Sequence, residues 1–119
     1  MAEYEHKLRC LAVHDERFMG SVFCSPESNL EASELDAKTH ALVRLGAFLA
    51  LGATPPSLQS DVEAALAAGA SEDEVVGTLI AVAPEIGSAR TVSEAPELAL
   101  ALGYDVDAAL QDPAGGRPR

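Results

Sequence analysis

Leu58, Val62, Ala65, Leu66 and Gly69 recur at i, i+4, i+7, i+8 and i+11, which is one face of an α-helix. Thr54-Pro55-Pro56 in front of them is a start signal: a hydroxyl cap followed by proline in the first turn, where a missing N–H costs nothing. Gly69 reads as the left-handed terminator. Ser71-Glu72-Asp73-Glu74 then forms a capping box, in which the Ser71 hydroxyl and the Glu74 carboxylate satisfy each other's backbone donors. The helix it opens carries Val75, Val76, Leu79, Ile80 and Ala83, and Pro84 and Gly87 punctuate its end.

Upstream, Asp36 is placed to accept from the free amides of a helix running to about Leu51, with Gly52 as the stop. Leu42, Val43, Leu45, Phe48, Leu49 and Leu51 cover most of its circumference, so it is expected to be buried on several sides. A first helix is predicted from about Glu5 to Phe18, where Leu8, Leu11, Ala12 and Phe18 form a stripe mixed with charges. The stretch from Gly20 to Ser33, rich in Ser with Gly, Pro and Asn, reads as a loop. A last helical region covers about Ala89 to Leu102, kinked or restarted at Pro96 and ended by Gly103. Asp105 to Leu110 adds a short turn, and Pro113 to Arg119 reads as a disordered tail.

Composition narrows this to an all-α protein. Hydrophobic residues make up 48 % of the 119 and aromatics only 4 %, so the apolar material is mainly Ala, Leu and Val. Small side chains let helices approach closely but bury little area each, at roughly 25 cal/mol per Å². Such a chain gains by burying more surface against copies of itself, and a homo-oligomer is expected. The formal charge of −11 repels phosphate backbones and anionic membrane surfaces, so neither nucleic acid nor membrane is an expected partner. The N-terminus lacks the apolar core of a signal peptide, and the apolar run from Ala41 to Ala53 is too short to span a bilayer. A cytoplasmic location is the expectation. Cys10 and Cys24 fit no C-x-x-C or zinc spacing, so they are read as free thiols, with a Cys10–Cys24 bridge as the alternative. His6 and His14 have no ligand-like spacing, and neither metal nor cofactor is expected.

Leu35-Asp36-Ala37-Lys38-Thr39-His40-Ala41-Leu42-Val43, then Ala50-Leu51-Gly52, the run from Asp61 to Ala70, and Ser71-Glu72-Asp73-Glu74-Val75 stand in a characteristic order and spacing. That order resembles the carboxymuconolactone decarboxylase and alkylhydroperoxidase-like family, over a little under half the chain. The resemblance implies a helical bundle of five to six helices, assembled as a trimer or hexamer. It divides the chain into an N-terminal helix and loop (1–33), a decarboxylase-like domain (34–110) and a tail (111–119). The redox branch of the family carries Cys-x-x-Cys, a His four residues later and a Glu on the preceding helix. Aligned on this chain, Thr54 and Ser57 stand at the cysteines, Asp61 at the His, and Ala41 or Leu42 at the Glu. Peroxide chemistry needs a thiolate and a resolving thiol, and hydroxyls replace neither. Peroxidase activity is therefore not expected.

The decarboxylase branch manages without cysteines, and there the resemblance implies a small lactone acid as substrate. Asp61 is the candidate acid or base if burial raises its pKa; the alternative is a first-turn helix acid beside the N-terminal dipole. His40 and Arg44, four apart on one helix face, can bind a carboxylate together or make structural contacts. Glu85 and Arg90 flank Gly87, where the family places a loop bordering its pocket, and read either as site residues or as a surface ion pair. Catalytic candidates are thus Asp61, His40 and Glu85, and substrate-binding candidates Arg44, Arg90, Thr54 and Ser57. Two functions follow: a cofactor-free lyase or isomerase acting on a small carboxylated metabolite, or a catalytically degenerate oligomeric binding or scaffold module.

Overall fold

The computed structural model describes residues 2–52 and 54–111. Among them are eight α-helices and no strand: α1 Glu3–Ala12, α2 Glu16–Phe23, α3 Pro26–Ser33, α4 Ala37–Leu51, α5 Pro55–Ala67, α6 Glu72–Ile86, α7 Ser88–Ala101 and α8 Val106–Gln111. The chain is all-α as expected, but eight helices replace the expected five to six. None of the described helices is long and apolar enough to cross a membrane. The expected tail lies, from Asp112 onward, outside the described residues.

The extra helices come from polar residues that start helices rather than interrupt them. The single helix expected over Glu5–Phe18 is two, because the chain turns at His14 (φ +56°) and Asp15 then caps α2, its Oδ1 accepting from Phe18 N at 2.9 Å. The expected loop from Gly20 to Ser33 holds the end of α2 and all of α3. Ser25 caps α3, accepting from Ser28 N at 3.0 Å, and Pro26 takes the first helical position. Ser28 Oγ donates to Ser21 O and Asn29 Nδ2 to Val22 O (2.8 Å), so the loop-like polar side chains tie α3 to α2. Near the C-terminus, Pro84 and Pro96 lie inside α6 and α7, and the short turn is the helix α8, capped by Asp105 (Ala108 N to Oδ1, 2.9 Å).

Other starts and stops fall where the local chemistry puts them. At the head of α4, Asp36 Oδ1 accepts from Thr39 N at 2.8 Å and Oδ2 from Thr39 Oγ1 at 2.9 Å, and these bonds hold its carboxyl below the usual carboxylate range. Ser71 and Glu74 make both bonds of the capping box at 3.0 Å. Gly69, at φ +101°, ends α5 while Ala70 N closes back onto Ala65 O at 3.0 Å. Thr54 stands at the head of α5, but its hydroxyl donates to Ser57 Oγ (3.1 Å) instead of capping an amide.

The chain folds as two compact units, the first ending at His40 and the second beginning at Ala41. In the first, none of the described residues of α1, α2 or α3 is buried. Polar ties hold it: besides the α2–α3 bonds, Lys7 Nζ reaches Ala32 O (3.0 Å) and the Glu34 carboxylate (2.5 Å). The second unit has the apolar core: Leu45 and Leu49 of α4, Leu58, Val62 and Ala65 of α5, Ala70 between α5 and α6, Val75 and Leu79 of α6, and Leu98 of α7. Gly46 lets α4 approach α6, since a Cβ there would stand 3.3 Å from Val82 Cγ1 and 3.5 Å from Thr78 Cγ2. The α6 face is narrower than its sequence suggests, because Val76 and Ile80 are exposed. Val43 and Leu51 of α4 are exposed as well.

Candidate functional site

Asp61 stands roughly two turns into α5, beyond the first-turn amides, so it is not the helix-start acid that its sequence context allowed. The residue is half-buried, and its Oδ2 is sealed from solvent with no hydrogen-bond partner among the described residues. Removing a carboxylate from water penalises its charged form, so burial pushes the Asp61 pKa up. Arg44, on α4, opposes that shift through its charge without bonding Oδ2. A half-buried acid of raised pKa beside a guanidinium is equipped to exchange a proton near a bound carboxylate.

The other sequence candidates take different places. His40 is buried at the end of the first unit, and its Nε2 lies 2.7 Å from Asn29 Oδ1. Because Asn29 Nδ2 donates to Val22 O, the amide oxygen faces the ring and the imidazole donates from Nε2. The residue that fixes His40 is thus Asn29 of α3, and Arg44 belongs to the second unit with Asp61. Glu85 is exposed in the last turn of α6 and forms no ion pair with Arg90 among the described residues. Arg90 Nη1 instead stands 4.0 Å from Glu94 Oε1, one turn along α7. Its guanidinium lies over Gly52, where a Cβ would collide with it. Thr54 and Ser57 are exposed and bonded to each other.

Glu94 escaped sequence reasoning. It is 8 % exposed, a buried acid on the core side of α7 near Leu98. The signal for it is its i,i+4 spacing from Arg90, which competes in the sequence with the pairing of Arg90 to Glu85 across Gly87. Among the described residues no three His, Cys, Asp or Glu side chains converge to hold a metal ion. Both cysteines are unbridged. Comparisons with protein-family models, curated proteins and solved structures find no match to this chain.

Proposed function

We propose that this chain is a carboxymuconolactone decarboxylase-like protein of the branch without the cysteine pair, working as a cofactor-free lyase or isomerase on a small carboxylated metabolite. The observation that carries the reading is the sealed, unpartnered Oδ2 of Asp61, at the position where the resembled family holds its proton-transferring His. Burying a carboxylate without a donor is costly, and a fold retains such a group more readily where it exchanges protons. In a decarboxylation, the electrons of the breaking C–C bond pass into the lactone carbonyl as carbon dioxide leaves. Asp61 supplies the proton that the resulting carbanion takes up, and Arg44 holds a carboxylate of the substrate. His40, with Nε2 committed to Asn29, and Glu85, which is exposed, take no step in this scheme. Arg90, Thr54 and Ser57 take none either.

The test is turnover of 4-carboxymuconolactone by the purified chain, followed by product formation. Asp61→Asn is expected to lower the rate by about 10²- to 10⁴-fold, the usual contribution of a positioned acid–base group, while the protein stays folded. Undiminished turnover in Asp61→Asn would remove Asp61 from the mechanism.

A second reading, an oligomeric scaffold without catalysis, is favoured by a separate observation. Leu51 is 82 % exposed, and Val43, Ile80, Val92 and Leu100 are also exposed in the single chain. Large apolar side chains bared on several helices of one unit suit contacts with further copies of the chain. We propose a trimer or hexamer in either case. Wild-type chain that assembles but shows no turnover favours the scaffold.

A further inference from the structure

Helical spacing puts His6 and Cys10 on one face of α1, and there Cys10 Sγ lies 3.7 Å from His6 Nε2. A thiol attacks as its thiolate, and an imidazole in contact with the sulfur is placed to take the proton. What makes the pair a site is the turn that follows it. His14 in the left-handed region reverses the chain, Asp15 N anchors to Cys10 O at 2.9 Å, and α2 starts beside the thiol. His6, Cys10, Asp15, Arg17, Phe18 and Ser21 then line an open cavity of about 350 Å³, within the range of small-molecule sites.

The lining also says what fits. Arg17 makes no ion pair among the described residues and can meet a carboxylate. Asp15 caps α2 through Oδ1, which leaves its second oxygen for an ammonium group. A chain of formal charge −11 repels polyanions, so a ligand of no net charge, whose bound half carries one charge of each sign, suits this cavity best. We propose that Cys10 is a reactive thiol which exchanges with the disulfide of a small zwitterionic aminothiol, with His6 as its base and Arg17 as the carboxylate contact. The site shares no residue with the Asp61 reading and does not depend on it.

The step balances as thiol–disulfide exchange. Cys10 gives its proton to His6, and the thiolate attacks one sulfur of the incoming disulfide. The ligand's S–S bond breaks as the Cys10–ligand S–S bond forms. The departing thiolate takes the proton from His6 and leaves as the free thiol. Cys10 sulfur is oxidised and the departing sulfur is reduced.

Cys24, exposed at the end of α2, is a reference thiol in the same chain. The probe is cystine, with mixed-disulfide formation followed by intact mass in two full-length variants, Cys24→Ser and Cys10→Ser. At pH 7, Cys10 is expected to react about tenfold faster than Cys24. His6→Asn in the Cys24→Ser background should bring the rate down to that of Cys24. Near pH 10, above the ordinary thiol pKa of about 8.5, base assistance is no longer needed and the two cysteines should converge. Arg17→Gln should slow exchange with cystine more than it slows alkylation by uncharged iodoacetamide. Equal rates at pH 7, indifference to His6→Asn, an advantage that survives at pH 10, or equal slowing by Arg17→Gln would each overturn the assignment.

Discussion

A carboxylate oxygen shut off from water without a donor weighs on the folded state most heavily while the group is charged. For Asp61 the folded pKa lies above the ordinary 3.8, with burial the larger cause and Arg44 the smaller, opposing one. Between 3.8 and that raised value the folded chain holds more protons than the unfolded one. Stability therefore falls as pH rises through that window, and the loss is complete above the folded pKa. Asp61→Asn removes the charge and should melt higher than wild type at pH 7, with the difference closing as pH falls to about 4. Thermal melts across pH check this, and a pH-independent difference would mean that Asp61 is not the titrating group. Asn29 offers a complementary test, since Asn29→Ala leaves the buried Nε2–H of His40 unpaired. A cost of about 1–3 kcal/mol in denaturant unfolding is expected. Asp61 was identifiable from its place in the motif, but its lost hydrogen bonds were not, because they depend on what α5 packs against.

Helix ends depend on residues within a few positions of each other, and most of their chemistry is written locally. The Ser71–Glu74 box and the Gly69 terminator behave as that rule requires, and both are separable by mutation. Ser71→Ala removes one bond of the box and should cost about 1 kcal/mol. Gly69→Ala meets no atom within 4 Å, so its cost comes from the backbone at φ +101° alone and should also be about 1 kcal/mol. Urea unfolding of the two variants measures both, and an unchanged Gly69→Ala would mean that α5 ends differently in solution. The same logic accounts for α3, a helix where the sequence predicts a loop. Ser25-Pro26 is the same kind of start signal as Thr54-Pro55, but without an apolar stripe behind it the segment resembled a loop. Its stabilising partners are carbonyls of α2, seven residues back, outside any local pattern.

The whole molecule divides its stability unevenly. Every fully buried large side chain named for the core belongs to the unit that begins at Ala41, whereas α1, α2 and α3 bury none of their described residues. Amides of α1–α3 should therefore exchange with deuterium well before those of α5–α7, whose opening requires disruption of the core. Leu58→Ala should cost about 2–5 kcal/mol and accelerate exchange in the second unit. Uniform exchange across both units would contradict this division. Assembly is tested at the same scale. Leu51→Glu, at an exposed position, should leave the fold intact and shift light scattering toward smaller species if the proposed oligomer forms through α4. A wild-type monomer would refute the oligomer outright.

By itself, the sequence determined an all-helical chain, the i, i+4, i+7 core stripe of α5, the caps at Asp36 and Ser71, and the lack of a cysteine pair at Thr54 and Ser57. These features are carried by side chains and amides within about one or two helical turns. Tertiary structure alone decided that Glu94 is buried, that Asn29 fixes His40, that Oδ2 of Asp61 has no donor, and that Arg17 stands at the cavity beside Cys10. Each of these depends on which helix faces which, and packing between separate elements has no fixed spacing along the chain.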